Sequence, residues 1–362
     1  MNLQTANRPL DRRQFLATTT AGLVMTSAGE TADLPQSPQR GLTRKIRAGF
    51  LGLAYSHAAE KCRLLRESAD YQLLGAWAET ATLADEYRAK GVSILTQAEV
   101  LERAEVILVE SEVSQHASLA RKVLDAGRHL HLEKPPALNP GEMETLIRLA
   151  DERNCLLQVG YMWRHHPGLI HAFNLIQQGA LGEVFLIRIS IDNQLDATRR
   201  TEWAKFPGGV LFELGSHVID VVVRLLGRPD RVTPFLRTSS SSKADKLADT
   251  TVAILEFPRT TVVITSTAQR HNANENRSFE FCGTRGNALL QPIEPPHLSI
   301  DLAAPMIDLP KGRSTVALPR FQRYLGEFNE LAHSIRSGNP LAVSLATEHI
   351  VQETLLRCVG VL

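Results

Sequence analysis

A lysine that directly follows an apolar stretch is the first residue in this sequence whose position suggests chemistry. The stretch Arg128–Leu132 leads into Glu133-Lys134-Pro135. Proline fixes its own φ and pushes the residue before it into extended geometry, so the backbone sets the direction of the Lys134 side chain. A lysine placed in this way is poorly suited to a core. It is well suited to aiming one cationic donor into a cleft.

A histidine on a predicted helix is the second candidate. The apolar period of Val210–Leu226 predicts the helix, and Glu213 and His217 share one of its faces because they are four residues apart. Asp220 lies close to that face. Flanking carboxylates would stabilise the imidazolium and fix its orientation, which suits a general base. Gly215 costs about 1 kcal/mol in mid-helix and indicates that another group approaches closely. An exposed Glu–His–Asp face with an incidental glycine is the alternative.

The turn after the first apolar run, Lys45–Leu51, could hold the pyrophosphate of a dinucleotide. Strand, glycine turn and helix in this order open a dinucleotide-binding unit, whose helix N-terminus offers N–H groups to phosphate. Read against G-x-G-x-x-G, the turn keeps only the first glycine, Gly52. Ala54 and His57 occupy the other two glycine positions. By itself the turn is equally compatible with an ordinary strand-to-helix connection.

Polar residues also follow the next predicted strands. Glu79 follows Tyr71–Ala78, where a carboxylate can accept hydrogen bonds from the adenosine ribose. No arginine comes next to neutralise a 2′-phosphate, which favours NAD over NADP. A carboxylate that merely begins the following helix is the competing interpretation. Ser111 lies beyond a third strand, Glu105–Val109.

The elements that must position these residues alternate regularly. Helices separate the strands between residues 45 and 160, which predicts an α/β fold with a doubly wound parallel sheet. Ligands of such sheets lie beyond the carboxyl ends of the strands. Gly52, Glu79, Ser111 and Lys134 all stand at such ends, so we expect them to converge on one crevice.

The rest of the chain has a different order of predicted helices and strands. After a helix from Gly160 to about Gly179, residues 183–291 contain strands with few helices, which predicts a large mixed or antiparallel sheet. The predicted domains are therefore 1–44, a signal and linker, 45–160, a dinucleotide-binding domain, and 161–362, a substrate and oligomerisation domain. Two C-terminal helices, near Arg320–Arg336 and Leu345–Val361, could fold back on the first domain.

Composition excludes several classes of function. The 362 residues are 43% hydrophobic and 22% charged, enough for two cores, and the net charge is +1 without a basic stripe. We therefore expect no nucleic-acid partner. None of the four cysteines forms a C-x-x-C pair, and no histidine spacing matches a metal site, so we expect no metal. No apolar run is long enough to predict a membrane span.

The N-terminus resembles an export signal. Asp11-Arg12-Arg13-Gln14-Phe15-Leu16 is similar to the twin-arginine motif and runs into the apolar segment Phe15–Ala28. Residues 1–28 therefore predict export to the periplasm; the chain would be cytoplasmic if the signal is not used. A disordered tail with a chance Arg-Arg pair is the alternative. Because this route carries folded proteins, we expect a cofactor that is loaded before export and tightly kept.

In this order and spacing, these residues resemble the glucose–fructose oxidoreductase / inositol dehydrogenase / MocA-type (Gfo/Idh/MocA) oxidoreductases. The resemblance covers nearly everything from Lys45 onward. It rests on the degenerate glycine turn and on Ser111 with His116, Glu133-Lys134-Pro135, Trp163-Arg164, Gly208-Gly209 and Glu213-x-Gly215-x-His217.

The resemblance implies an N-terminal Rossmann domain, a C-terminal α/β domain with a large open sheet, and homo-oligomers packed through that sheet. It also implies hydride transfer between NAD or NADP and a hydroxyl of a small carbohydrate-like or polyol substrate. Lys134 would bridge the nicotinamide ribose and the reacting oxygen, and His217 would be the general base. Glu213, usually aspartate in the family, would orient that base, and Arg164 would lie near substrate or cofactor.

Pattern and resemblance together predict the site. The predicted catalytic residues are Lys134, His217 and Glu213. The predicted cofactor contacts are Gly52, Leu53, Ala54, Ser56, Glu79, Ser111, His116, Glu133, Lys134 and Arg164. The predicted substrate contacts are Arg164, Asp220 and two residues of the loop 193–209, Trp203 and Lys205.

Three departures from the family pattern accompany this prediction. Ala54 and His57 alter the glycine turn, and Ala78 occupies the usual acidic ribose-binding position, one residue before Glu79. Glu213 is one methylene longer than aspartate, which displaces its carboxylate by about 1 Å. Two other functions stay open: a glycoside hydrolase or lyase that uses NAD without net redox change, and a non-catalytic nucleotide- or sugar-binding protein.

Overall fold

Two β-sheets organise the part of the chain that the computed structural model describes, residues 44–306 and 309–362. The predicted export signal, residues 1–28, and nearly all of the linker that follows it lie outside these ranges. Export therefore stays a prediction.

The first sheet is parallel and has five strands, in the order β2-β1-β3-β4-β5. The strands are β1 Ile46–Leu51, β2 Tyr71–Trp77, β3 Val106–Val109, β4 His129–Leu132 and β5 Leu157–Val159. Strand β3 is buried along its whole length, as expected for a parallel strand covered on both faces. The chain leaves β1 towards β2 on one side and continues through β3 on the other. This reversal is the switch point at which doubly wound sheets bind ligands.

Helices connect these strands. They are α1 Ala58–Glu67, α2 Ala81–Ala89, α3 Gln97–Arg103, α4 Val113–Asp125 and α5 Pro140–Glu152. The predicted α/β class with a Rossmann-type parallel sheet is confirmed. Helix α3 was not predicted, although Thr96 and Glu99 form a capping box at its start, which is a signal readable in sequence.

The second sheet has eight strands in the order β13-β12-β11-β10-β6-β9-β8-β7. Its strands are β6 Val184–Ser190, β7 Arg231–Arg237, β8 Thr250–Glu256, β9 Thr261–Thr267, β10 Ser278–Gly283, β11 Gly286–Leu290, β12 Leu298–Leu302 and β13 Gly312–Val316. Strands β6 and β9 are parallel and the other neighbours are antiparallel, which confirms the predicted mixed sheet.

The remaining helices pack around these strands. They are a 3-10 helix at Met162–His165, α6 Pro167–Gln177, α7 Ala197–Trp203, α8 Val210–Leu226, α9 Ala273–Asn276, α10 Leu325–Ser337 and α11 Leu345–Cys358. Helix α8 contacts β8, β9 and α11, and most of its residues are buried. Because α8 is buried on most sides, its polar residues Glu213, His217 and Asp220 also lie inside the protein.

Two glycines set the direction in which α8 starts. Gly208 and Gly209 have φ values of +67° and +53°. A Cβ atom at Gly209 would lie 2.6 Å from the Ala248 carbonyl oxygen. Only glycine adopts this backbone without strain, so the pair fixes how α8 enters the space between the two sheets.

The C-terminal helices contact the first sheet. The Tyr71 hydroxyl at the start of β2 donates to the Phe328 carbonyl on α10 at 2.8 Å. The Gln352 amide on α11 donates to the Ala137 carbonyl at 2.7 Å. In residues 44–306 and 309–362, no helix combines the length and the apolar character that crossing a bilayer requires.

Candidate functional site

Lys134 lies just beyond β4, against the first turn of α8. Its Nζ donates to Glu213 Oε1 at 2.7 Å and to the Glu213 backbone oxygen at 3.2 Å, and both side chains are nearly buried. His217 lies about one helical turn further along the same face of α8. The fold therefore brings Lys134 to a helix face that lies 79 residues further along the sequence.

Tyr55, from the glycine turn, joins this group although no motif identified it. Its hydroxyl donates a short hydrogen bond to Glu213 Oε1, and Lys134 Nζ lies 5.1 Å from the centre of its ring. Burial, followed by the charge of Glu213, raises the pKa of Tyr55 well above 10, so the phenol keeps its proton. Glu213 Oε2 is buried without a hydrogen-bond partner among the described residues.

Aromatic rings hold the imidazole of His217. The ring centres of Trp163 and Tyr161 lie 5.2 Å and 6.2 Å from it. His217 is only 5% exposed, and its Nδ1 is buried with no hydrogen-bond partner in the described chain. Burial, and next the charge of Lys134, lower the pKa of His217 well below 6.5. The ring is therefore neutral at physiological pH.

One prediction about α8 is wrong. Within the described residues, neither Glu213 nor Asp220 forms a hydrogen bond or ion pair with His217, and the pKa of His217 is lowered, which is opposite to a stabilised imidazolium. Among the described residues, the close neighbour of Gly215 belongs to the helix itself, because a Cβ atom there would lie 2.7 Å from Leu211 Cδ1. The close approach of another group to Gly215 stays a prediction.

The degenerate glycine turn lies at the switch point between β1 and β3. Gly52 has a φ of +92°, and a Cβ atom on it would lie 2.6 Å from the Cβ of Ser111. The N–H of Leu53 donates to Glu79 Oε2 at 2.9 Å, and that of Ala54 lies 3.4 Å from Oε1. The turn thus presents N–H donors to an anionic group, and Glu79 lies beside it as predicted from the strand ends.

A buried ion cluster holds the segment Glu133-Lys134-Pro135 in place. Lys61 Nζ donates to Glu110 Oε1 at 2.7 Å and to Glu133 Oε2 at 2.6 Å, and all three side chains are fully buried. His57 Nδ1 lies 3.1 Å from the same Glu133 oxygen. Burial raises the pKa of Glu133, but Lys61 and His57 outweigh it and hold the pKa well below 4.5.

Glu133, a predicted cofactor contact, is therefore enclosed by protein. Its second oxygen accepts the backbone N–H of Lys134 at 3.0 Å. Its role in this structure is to hold the backbone that aims the Lys134 side chain, because a carboxylate surrounded by two cationic or imidazole partners has little capacity left for a ligand.

Ser111 and His116 are also buried, and they bind backbone. His116 Nδ1 lies 2.8 Å from the Pro135 oxygen, and Nε2 lies 3.0 Å from the Ser111 oxygen. The ring of His116 thereby connects the segment after β3 to the segment after β4. Both predicted cofactor contacts lie at the crevice, where they fix its walls.

Arg164 and Asp220 form an ion cluster with a residue that was not predicted. The Arg164 guanidinium donates to Asp220 Oδ1 at 2.7 and 3.0 Å, and to both oxygens of Glu348 at 2.7 and 2.8 Å. These contacts join the 3-10 helix, α8 and α11. Because they occupy the whole guanidinium fork, the structure gives Arg164 and Asp220 a structural role in place of the predicted ligand contact.

The remaining predicted residues, Trp203, Lys205 and Ser56, form no hydrogen bond or ion pair with these groups in the part of the chain that the structure describes. Trp203 ends α7 and packs on a small apolar cluster of Val210, Leu247 and Ala268. Lys205 is exposed and forms no hydrogen bond or ion pair within the described residues. Ser56 is exposed in the glycine turn.

One residue of the buried cluster left a signal in the sequence. Lys61 lies four residues before Leu65 and three after Ala58, on the apolar face of α1. A lysine at such a position requires a buried counter-ion. Tyr55 left no comparable signal, because its partner Glu213 is 158 residues away.

The residues at the switch point fit a dinucleotide. The turn N–H groups of Leu53 and Ala54 already bind one anion, the Glu79 carboxylate. His57 forms no capping hydrogen bond at the start of α1. The N–H of Ala58 donates to the Tyr55 carbonyl at 3.0 Å, and among the described residues the N–H groups of Ala59 and Glu60 remain for phosphate. Beyond the turn, Glu213 Oε2 and His217 Nδ1 are buried polar atoms without partners in the described chain.

Comparison with known proteins agrees with the two-sheet architecture. Residues 46–161 match the family model described as "Oxidoreductase family, NAD-binding Rossmann fold". Residues 170–289 match the model described as "GFO/IDH/MocA C-terminal domain".

Individual relatives are distant. An uncharacterized oxidoreductase of Schizosaccharomyces pombe is 26% identical over 242 residues, which are 62% of this chain and 64% of that protein. A scyllo-inositol 2-dehydrogenase (NADP(+)) of Bacillus subtilis is 32% identical over 132 residues, 36% of this chain and 37% of the relative. The matches to the first two curated relatives span 64% and 52% of their lengths.

Solved structures match over a longer range. The crystal structure of GenD2 from gentamicin A biosynthesis in complex with NAD superposes with a TM-score of 0.73. That match is 19% identical and covers 94% of this chain and 97% of the other. At this identity it supports the fold alone.

Proposed function

Because this chain belongs to the Gfo/Idh/MocA oxidoreductase family, we propose that it transfers a hydride between a nicotinamide cofactor and a hydroxyl-bearing carbon of a carbohydrate-like substrate. One observation carries the proposal. The ammonium of Lys134 lies against α8, one helical turn from the neutral imidazole of His217, at the edge of the sheet where doubly wound folds bind ligands.

His217 is the proposed general base. Oxidation of an alcohol requires a group that takes the hydroxyl proton while hydride leaves the carbon. A neutral imidazole can accept that proton, whereas an imidazolium cannot. Burial keeps His217 neutral, and Trp163 and Tyr161 restrict its orientation.

Lys134 is proposed to stabilise negative charge on the reacting oxygen. An ammonium in a site of low dielectric stabilises a developing alkoxide strongly, provided that the protein fixes its position beforehand. Glu213 supplies that positioning, since its carboxylate binds Lys134 at 2.7 Å and is itself bound by Tyr55. Tyr55 is a positioning residue in this scheme.

A bound nicotinamide would supply the hydride acceptor or donor. The N–H groups at the N-terminus of α1 would hold its phosphates, because those of Leu53 and Ala54 already donate to Glu79. Glu79 would face the adenosine ribose, and its charge would repel a 2′-phosphate. We therefore propose NAD over NADP, although the Bacillus subtilis relative is named for NADP(+).

The experiment combines one catalytic variant with a matched control. Rates of nicotinamide reduction are measured with a panel of inositols and hexoses, for wild type, His217→Asn and His333→Asn. His333 lies exposed on α10, away from the site. We expect His217→Asn to lower kcat by about 10²- to 10⁴-fold, with nucleotide affinity retained. His333→Asn should match wild type.

Two outcomes would contradict the proposal. If His217→Asn keeps the wild-type rate, His217 is not the base. If substrate is consumed in amounts that exceed reduced cofactor many-fold, the NAD-assisted hydrolase or lyase alternative is correct, because that reaction returns the cofactor to its starting state.

A further inference from the structure

An arginine at the rim of the site has no function in the scheme above. Arg277 stands directly before β10 in extended geometry, with φ −66° and ψ 131°. Side chains alternate along a strand, so Arg277 lies on the same face as Phe279 and Phe281, which are both fully buried. Arg277 therefore lies on the buried face of the sheet.

Aromatic contacts lead from that face to the proposed base. The rings of Phe279 and Trp163 pack edge to face with centres 5.8 Å apart, and Trp163 lies 5.2 Å from His217. Arg277 is two residues from Phe279, about 7 Å along the strand. Arg277 thus follows Phe279 outward on the face of the sheet whose aromatic contacts lead to His217.

The terminal nitrogens of Arg277 are unpaired. Its Nε donates to the backbone oxygen of Asp192 at 2.8 Å, and neither Nη atom has a hydrogen-bond partner within the described residues. The side chain is half-buried. Burial, followed by the charge of Arg323, lowers the pKa of Arg277, which is the direction expected for a cation in need of an anion.

The neighbouring carboxylates already have partners. Asp192 accepts from the Ser190 hydroxyl at 2.6 Å and from the Thr267 N–H at 3.0 Å. Glu294 accepts from the Trp163 indole at 3.1 Å and from Arg323 Nε at 2.5 Å. Arg277 is consequently a partly desolvated cation that the protein does not neutralise by contact.

A polar cavity lies next to Arg277 in the chain. It has a volume of about 340 Å³ and is lined by Asn193, Gln194 and the segment 272–275. Three asparagines, a glutamine and a glutamate provide both donors and acceptors, as hydroxyl groups of a carbohydrate require. Asn193 is adjacent to Asp192, whose backbone binds Arg277.

We propose that the substrate is an acidic carbohydrate, whose carboxylate is bound by the two terminal nitrogens of Arg277 while its hydroxyl groups face the amide-lined cavity. This inference rests on the proposed function, and it narrows the substrate class. Two parallel N–H groups match the two oxygens of a carboxylate. A sugar phosphate offers similar chemistry, so the experiment includes it as a separate arm.

Binding is measured by calorimetry in the presence of NADH, which cannot accept a hydride from the substrate hydroxyl, so that the result does not depend on turnover. The probes are D-glucuronate, D-galacturonate and D-mannuronate, each compared with its neutral hexose and its hexose 6-phosphate. Wild type should bind at least one uronate about ten times more tightly than the neutral hexose, since a hydrogen bond to a charged group contributes a factor of roughly ten or more.

Arg277→Met should abolish this preference and leave the affinity for the neutral hexose unchanged. Arg277→Lys should retain part of it, because lysine keeps the charge without the planar fork. Arg259→Met is the matched control. Arg259 pairs with Glu183 just before β6, at the opposite end of that strand from Asp192, so this variant should keep the full preference.

Three results would overturn the inference. They are a wild type that binds no uronate more tightly than its neutral hexose, an Arg277→Met variant that keeps the preference, and a hexose 6-phosphate that binds more tightly than every uronate. Hydride transfer is assayed separately. If neutral polyols are oxidised without any preference for acids, only the substrate inference fails; if uronates bind selectively without hydride transfer, only the proposed function fails.

Discussion

The protonation state of His217 depends on two neighbours of different kinds. Its burial against Trp163 disfavours the charged ring, and the nearby ammonium of Lys134 disfavours it further. A neutral imidazole does not need a carboxylate partner. Glu213 instead binds the ammonium of Lys134 through one oxygen.

Lys134→Met should raise the pKa of His217. The substitution removes the second-largest cause of the lowered value and leaves the burial, so the new pKa should be higher and still below 6.5. An NMR titration of protein with ¹³C-labelled histidine measures it, with the His217 signal assigned from the spectrum of His217→Asn. Lys122→Met, on the exposed side of α4, is the control. An unchanged His217 titration in Lys134→Met would show that the two groups are not coupled.

Sequence reasoning located two residues whose surroundings depend on nearby residues: Lys134, from the proline that follows it, and His217, from its helical spacing. The structure places both of them at α8, and their catalytic roles stay predictions. Tyr55 and Arg277 were not identified from the sequence, because only the tertiary fold brings them close to their partners Glu213 and Asp192. The error about Asp220 has the same cause, since its partners Arg164 and Glu348 come from two other elements.

Helix α10 carries an unusual group into the core between the two sheets. Glu327 is 2% exposed, and neither of its carboxylate oxygens has a hydrogen-bond partner among the described residues. Burial raises the pKa of Glu327 to about 8, although Lys61 acts in the opposite direction. The folded protein therefore favours the protonated form of the Glu327 carboxyl group.

Stability should consequently fall as pH rises towards 8. Between pH 4.5 and about 8 the folded chain holds a proton at Glu327 that the unfolded chain releases, so the free energy of unfolding decreases across this window. Glu327→Gln should remove this dependence. We expect the variant to be more stable than wild type by about 2–4 kcal/mol at pH 8.5 and similar to it at pH 4.5.

Urea unfolding at a series of pH values measures the effect. Glu102→Gln, an exposed substitution at the end of α3, should follow the wild-type curve. Parallel curves for Glu327→Gln and wild type would mean that Glu327 is ionised in the folded protein or reaches water.

Element boundaries are predictable where the apolar period is long. Helix α8 begins and ends at the predicted residues, Val210 and Leu226. Over residues 193–209 the sequence predicts a loop, but Ala197–Trp203 forms the short helix α7, which the Asp196 side chain caps. Strands β12 and β13 were not predicted. Each has only five residues, β12 pairs with β11, and β13 pairs with β12.

At the scale of the whole molecule, the mixed sheet is covered on one face by α8. Its other face carries apolar side chains in register across three strands. Phe235 pairs with Val252, and Ile254 pairs with Val263. Phe235 is 52% exposed. An exposed apolar face of this kind is typical of an interaction surface.

The family resemblance predicts that copies of this chain associate through the sheet, and on that prediction Phe235→Lys should weaken self-association. A lysine at an apolar contact between copies would bury charge without a partner, which costs more than the lost contact itself. Light scattering coupled to size exclusion measures the mass over a dilution series, and we expect the dissociation constant to rise at least about tenfold. Phe185→Lys is the matched control. Phe185 is 50% exposed, but it shares a face of β6 with the buried residues Ile187 and Ile189, which is the face opposite to that of Phe235. A wild type that is monomeric at all concentrations, or equal effects of the two substitutions, would show that the open face of the sheet does not join copies of this chain.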